Sequence, residues 1–229
     1  GVRPQVLMDI LISQGHYPPA NPGGITVVID VIRAFTTAQL AFEGGVRRIH
    51  LVATAPEALA LKAERPELLL AGEINALPID GFDFGNSPWE MQQADLRERE
   101  LVQRTTNGVI ATLRARDSEQ VLVAGLVNAE ATARHLRAWR PSRVVLVASH
   151  PTGDEDVACA EYIRSLLGGP AMTFEQAAAR TRNAEAADKF YNGSHPRRRA
   201  DDIELAASNA GERGHVMVVS YSPNPSVTV

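Results

Sequence analysis

Four carboxylates, two threonine pairs and one arginine stand at or just past the ends of apolar runs in this sequence. Asp30 closes "ITVVID" (25–30), and Arg33, Thr36 and Thr37 follow it in "VIRAFTT". Glu73 ends "ELLLAGE" (67–73), and Thr105, Thr106 and Asn107 end "ELVQRTTN". Asn128 follows "QVLVAGLV" (120–127), and Glu155 and Asp156 lie in "GDED" (153–156), just after "RVVLVAS" (143–149). Charges at the end of a core strand are costly to bury unless each has a partner or a task. Carboxylate oxygens are the donors a hard cation such as Mg²⁺ takes. A guanidinium, hydroxyls and the amides that open a helix cradle a phosphate-like anion. A metal held by carboxylates beside an anion cradle is the parts list for phosphoryl transfer, where neutralising charge does most of the work.

The candidate metal ligands are therefore Asp30, Glu73, Asp83, Glu155 and Asp156, with Asp30, Glu73 and Asp156 also candidates for catalysis. Candidate substrate-binding residues are Arg33, Thr36, Thr37, Asn86, Ser87, Thr105, Thr106 and Asn107. Each has a plainer alternative. Asp30 and Arg33 can pair with one another, and Thr105 and Thr106 can be β-branched strand residues with Asn107 as a cap. In "GFDFGNSP" (81–88), Asp83, Asn86 and Ser87 can bond their own turn. Glu155 and Asp156 suit the first turn of a helix on dipole grounds alone. Cys159 lies within a helical turn of both acids, which would raise rather than lower a thiol pKa, so it reads as packing. Arg197, Arg198 and Arg199 with His195 form either an anion-attracting lip or a solvated surface, and the latter is commoner.

The elements that position these residues follow from periodicity. The apolar runs at 25–30, 47–53, 67–73, 100–106, 120–127, 143–149 and 215–221 are nearly continuous, as in strands buried on both faces. Helices are predicted over 55–64, 128–139, 153–169, 171–192 and 200–211, with Pro56, Asn128 and Asp154 as start signals. Strand–helix alternation predicts a layered α/β/α fold with a largely parallel or mixed sheet, in one domain over 1–229 or two lobes sharing a site. Residues 76–93, rich in Gly, Pro, Asn and Asp, are too long for a tight connection and predict a functional loop. In open parallel sheets ligands bind outside the carboxyl ends of the strands, so several strands ending in polar residues predict one site.

The 229 residues carry a net charge of −4, which argues against a nucleic-acid surface but not against a local anion pocket. With Cys159 the single cysteine, no internal disulfide is possible, and a reducing cytoplasm is the expected compartment. No apolar run reaches the ~18 residues that span a bilayer, and residues 1–10 lack the head and apolar middle of a secretory signal. A small anionic phosphorylated molecule is the expected partner, with neither nucleic acid nor membrane; a homodimer is left open.

Six motifs occur in order: "VVIDVIRAFTTA", "AGE" (71–73), "GFDFGNSP", "RTTNG" (104–108), "LVNA" (126–129) and "EDVACA" (155–160). On these the sequence resembles the 2-phosphosulfolactate phosphatase family of the coenzyme M pathway, and "ADDIELAA" looks like that family's acidic C-terminal segment. The resemblance implies a Mg²⁺-dependent phosphatase that releases sulfolactate and phosphate, with an α/β fold peculiar to the family. Haloacid-dehalogenase phosphatases place a second Asp two residues after the first; here that position is Ile32. Whether Asp30 attacks phosphorus or binds metal stays open. So do a non-catalytic binder of an anionic metabolite and a phosphatase of another small metabolite.

Overall fold

The computed structural model describes residues 8–229; most of the N-terminal stretch considered above as a signal, residues 1–7, lies outside them. In chain order the first elements are β1 (Asp9–Gln14), β2 (Asn21–Ile29), α1 (Ala34–Glu43), β3 (Arg48–Leu51), α2 (Ala55–Glu64) and β4 (Leu69–Gly72). Then come α3 (Pro88–Gln93), β5 (Glu100–Arg104), α4 (Gly108–Arg114), β6 (Ser118–Ala124), α5 (Ala129–Trp139) and β7 (Arg143–Ala148). The last are α6 (Asp154–Leu166), α7 (Phe174–Arg182), α8 (Asp188–Tyr191), α9 (Ala200–Ala206), β8 (Met217–Ser220) and β9 (Ser226–Thr228).

The nine strands among the described residues join one mixed sheet in the order β1-β7-β2-β6-β8-β9-β3-β5-β4. It consists of two parallel blocks, β1-β7-β2-β6 and β3-β5-β4, separated by the antiparallel pair β8–β9. The layered α/β prediction holds. The central strand β2 is buried on both faces: Val28 packs among α1 and α4, whereas Val27 and Ile29 pack against α5, α6, α7 and α9. Full burial of each such side chain is worth about 1.5–3 kcal/mol, which is why this strand reads as an unbroken apolar run.

Three expectations about elements need correction. The region 171–192 is not one helix but α7, a 3₁₀ turn and α8. The loop 76–93 contains α3, started by Ser87 as N-cap and Pro88 in the first turn. The run at 215–221 is antiparallel, because β8 follows α9 across the sheet and pairs with β6 in the reverse sense.

The reversal also changes how the site is built. Three antiparallel steps (β6–β8, β8–β9, β9–β3) leave the second block running opposite to the first, so the carboxyl ends do not share one edge. Neighbouring strands rotate by roughly 20–25°, and the five steps from β2 to β5 turn the second block through about 100–125°. That turn swings the end of β5 toward the end of β2. The amide of Gly108, opening α4 after β5, accordingly donates to Asp30 at 2.9 Å.

Candidate active site

Asp30 is the point where the two blocks meet. Its Oδ1 accepts the amide of Ala34 at 3.3 Å and its Oδ2 that of Gly108, so it ties the starts of α1 and α4 together. The carboxylate is buried, and desolvation outweighs these amides and lifts its pKa from 3.8 to about 6, with Glu155 and Glu73 adding repulsion. The approach of α4 depends on Gly108: a Cβ there would lie 2.7 Å from Asp30 Cβ and Oδ2 and 3.0 Å from Phe35.

Beside Asp30, the first turn of α6 buries two more acids. Asp156 accepts the amides of Val31 at 2.8 Å and His150 at 3.0 Å, one on each oxygen, so it fastens the loops after β2 and β7. Burial, then the charges of Asp30 and Glu155, push its pKa well above the carboxylate range. Glu155 is as deeply buried, yet neither carboxylate oxygen has a hydrogen-bond partner among the described residues. Its pKa is raised, chiefly by burial. A buried carboxylate without partners is expensive, and here it lies beside two others.

The unpartnered oxygens decide how well a divalent cation fits. No group of three or more His, Cys, Asp or Glu among the described residues forms a ready-made metal cage. Mg²⁺ does not need one, because it commonly takes one or two carboxylates, keeps waters and binds substrate phosphate. Asp30, which lines the cavity, and Glu155, which lacks any other partner, meet that smaller demand.

The facing wall comes from the second block. Glu73 Oε1 accepts the amide and hydroxyl of Thr106 at 2.9 and 2.8 Å, and Oε2 accepts the amide of Ala76 at 3.0 Å. Thr105, Thr106 and Asn107 line the cavity between Glu73 and Asp30. Thr105 Oγ1 accepts the amide of Val109 at 3.3 Å, and Asn107 Oδ1 is 2.6 Å from His16 Nε2 on the loop after β1.

A third wall is basic. Arg33, buried, donates Nη1 to Asp202 at 3.1 Å and Nη2 to the carbonyl of Ala76 at 3.3 Å, and lies 4.6 Å from the centre of the Phe190 ring. Burial lowers its pKa and Asp202 opposes that. Asp202 on α9 is itself fully enclosed, and its other oxygen accepts Ser87 Oγ at 2.8 Å and the amide of Trp89 at 3.0 Å. Lys189 and His150 complete the lining. His150 Nδ1 accepts the amide of Thr152 at 3.1 Å, and burial lowers its pKa; together these favour the neutral ring with its proton on Nε2. The cavity holds about 160 Å³, well below the ~300–1,000 Å³ typical of drug-sized ligands. A small, highly charged molecule is the natural occupant.

Asp30, Arg33, Glu73, Asn86, Thr105, Thr106 and Asn107 thus line one cavity, with Glu155 and Asp156 buried next to Asp30. The other four candidates neither line it nor belong with Asp30's acidic neighbours, Glu155 and Asp156. Thr36 donates to the carbonyl of Val31 and Thr37 to that of Arg33, so both hydroxyls are spent on the local backbone. Ser87 caps α3 and bonds Asp202 rather than a ligand. Asp83 pairs with Lys62 at 2.6 Å and accepts the amide of Leu70, away from the other acids. Arg33 pairs with Asp202 and not with Asp30.

Several residues escaped the sequence reading. His150 is the second residue after β7, one place beyond the strand-end position that singled out Asp30. Lys189, Phe190, Asp202 and His16 carry no such signal. The arginine run proves to be a strap: Arg197 pairs with Glu90 at 2.5 Å, Arg198 donates to the carbonyl of Asn75 at 2.8 Å, and Arg199 stacks 3.6 Å from the centre of the Trp89 ring. Cys159 is buried, and burial with the neighbouring Asp156 pushes its thiol well up, which leaves it in the packing role.

A family model described as 2-phosphosulpholactate phosphatase matches residues 12–211. A probable 2-phosphosulfolactate phosphatase of Bacillus subtilis is 43% identical over 199 residues, covering 86% of this chain and 87% of that protein. A probable 2-phosphosulfolactate phosphatase of Deinococcus radiodurans is 40% identical over 161 residues, 69% of this chain and 65% of that protein. One from Clostridium perfringens is 35% identical over 168 residues, 70% of this chain and 68% of that protein.

Proposed function

The chain belongs to the 2-phosphosulpholactate phosphatase family, and on that premise we propose that it hydrolyses 2-phosphosulfolactate to sulfolactate and phosphate with Mg²⁺. The observation that carries the reading is the buried, unpartnered carboxylate of Glu155 close to Asp30, which lines a small polar cavity. Asp30 and Glu155 would hold Mg²⁺, whose Lewis acidity neutralises phosphoryl charge.

The chain's own groups do the rest. Thr105, Thr106 and Asn107 line the wall between Glu73 and Asp30, and in this reading orient the phosphoryl oxygens. Glu73, held by three donors, fixes that wall. Water adds to phosphorus and gives its proton to Asp156, the carboxylate of the acidic cluster left outside the metal pair. The phosphorus–oxygen bond to the substrate breaks, and the departing alkoxide takes the same proton back. The cluster ends as it began.

Phosphate release from a panel of small phosphorylated hydroxy acids tests the proposal, with Mg²⁺ and with chelator. The expected result is the highest kcat/KM on 2-phosphosulfolactate and a loss of at least about 100-fold on chelation. Tight binding of a panel member without turnover of any would instead make the protein a binding module. Turnover that prefers another member would move the substrate. Gly108→Ala probes the geometry: the added methyl forces α4 away from Asp30, and displacements near 1 Å cost up to about 10²-fold. A kcat reduced about 10–100-fold in steady-state kinetics is expected, with a small loss of thermal stability, because the clash costs about 1–3 kcal/mol and Ala returns at most about 1 kcal/mol in a helix.

A further inference from the structure

We propose that Lys189 selects substrates bearing a second anion, a carboxylate or sulfonate remote from the scissile phosphoryl group, by pairing its ammonium with that anion. The inference rests on the phosphatase reading of the cavity and names what that reading leaves unassigned, the group that recognises the rest of the substrate.

The argument is one of commitment. Three cations stand at or beside the basic wall, and two are already engaged. Arg33 gives its two terminal nitrogens to Asp202 and the carbonyl of Ala76. Arg198 gives its own to Asn75 and Ser194. Lys189 lines the cavity, and its ammonium has no hydrogen-bonded acceptor or ion-pair partner among the described residues, Glu73 and Glu155 acting on it only from farther off; the Phe190 ring 5.9 Å away is its one specific contact there. Burial, with Arg198 and Arg33 nearby, lowers its pKa. A half-buried ammonium beside two guanidiniums gains most from an incoming anion.

The backbone that carries Lys189 is also held in place. Phe190, the next residue, is buried with Ala76, Ala187 and Ile203, and the Lys189 carbonyl accepts Ser194 Oγ at 3.2 Å. Phosphoryl binding at the acidic wall and a second anion at Lys189 would therefore align a molecule across the cavity. Inorganic phosphate or a simple phosphomonoester would engage one wall only.

Lys189→Met removes the charge and keeps most of the length. Because the ammonium has no partner in the fold, the variant should melt like the wild type, which circular dichroism checks. With 2-phosphosulfolactate we expect KM to rise about 10–100-fold with kcat within about threefold, and Lys189→Arg to restore much of the loss. Isopropyl phosphate, which has no second anion, should bind as a competitor equally well to both proteins. 2-Phospholactate keeps the carboxylate without the sulfonate, so its response identifies which anion is read; dependence on Lys189 for either one supports the inference. Lys62→Met, at the only other lysine, loses its ion pair with Asp83 but should leave KM for either substrate unchanged. Direct calorimetry with sulfolactate separates this inference from the one beneath it. Sulfolactate binding that needs Lys189 in a protein that releases no phosphate would sink the phosphatase reading and leave this one standing. Normal hydrolysis with an unchanged KM in Lys189→Met would do the reverse. An equal loss of isopropyl phosphate binding, or wild-type protein that binds no sulfolactate, would also overturn it.

Discussion

Asp30→Asn is expected to cut phosphate release by at least about 10³-fold and, in the same protein without metal, to raise the melting temperature at pH 8. The two effects share a cause. The folded pKa of Asp30 is about 6 against an ordinary 3.8, so between these values the folded protein holds a proton that the unfolded chain releases. Its contribution to stability is therefore complete below about pH 4 and is lost as the pH rises through 6, a difference on the order of 3 kcal/mol. Asn is neutral at every pH and escapes that loss. It can accept one of the two amides from Ala34 and Gly108 but not both, which returns about 1 kcal/mol. The remaining ~2 kcal/mol corresponds to a gain of about 4–8 °C for a chain of this size. Thermal melts from pH 4 to 8 should show the gap open with pH, close between about pH 4 and 5, and reverse in favour of the wild type below that. Saturating Mg²⁺ should raise the wild type more than the variant and narrow the gap. Full activity in Asp30→Asn would remove this residue from the chemistry, and a variant less stable than wild type at pH 8 would mean its burial is not the dominant cost.

The second large effect concerns Asp202, which touches no ligand in the proposed reaction. Asp202→Ala leaves the Arg33 guanidinium buried without its carboxylate and strips partners from Ser87 and the Trp89 amide. Breaking a buried pair in this way costs about 3–5 kcal/mol, or roughly 6–20 °C, readable in a urea or thermal melt. Replacing both partners together, Arg33→Met with Asp202→Leu, should recover most of that stability, because no charge is left stranded. It should not recover activity, since the wall at Ala76 and the cavity charge depend on Arg33. A loss below about 1 kcal/mol in Asp202→Ala would show that water reaches Arg33 and screens it.

The sequence made the strand ends readable, because the end of a doubly buried strand is marked by the first polar residue after an apolar run. Asp30, Glu73 and Thr105–Asn107, which line the cavity, are legible that way. What happens to a polar residue after that point was not readable. Thr36 and Thr37 look like site hydroxyls in the sequence, yet a threonine in a helix can spend its hydroxyl on a carbonyl one turn back. Asp83 looked like its acidic peers, but its partner, Lys62, is 21 residues away and meets it only through folding. Asp202 and Arg33 are 169 residues apart, a pairing that one sequence cannot declare. The strand β1 was missed because "DILISQ" mixes exposed and part-buried positions at an edge of the sheet. The reversed second block was missed because local pattern records that a strand exists and not which way it runs.

The hairpin formed by β8 and β9 spans residues 217–228, later in the chain than every other strand, yet it lies in the middle of the sheet. A growing polypeptide therefore completes both parallel blocks before it makes the piece that joins them. Until then β6 and β3 are open edges, each able to recruit a strand from another chain. The hairpin is thus a keystone set last, and its absence would favour clumping of half-built sheets over a merely slower enzyme.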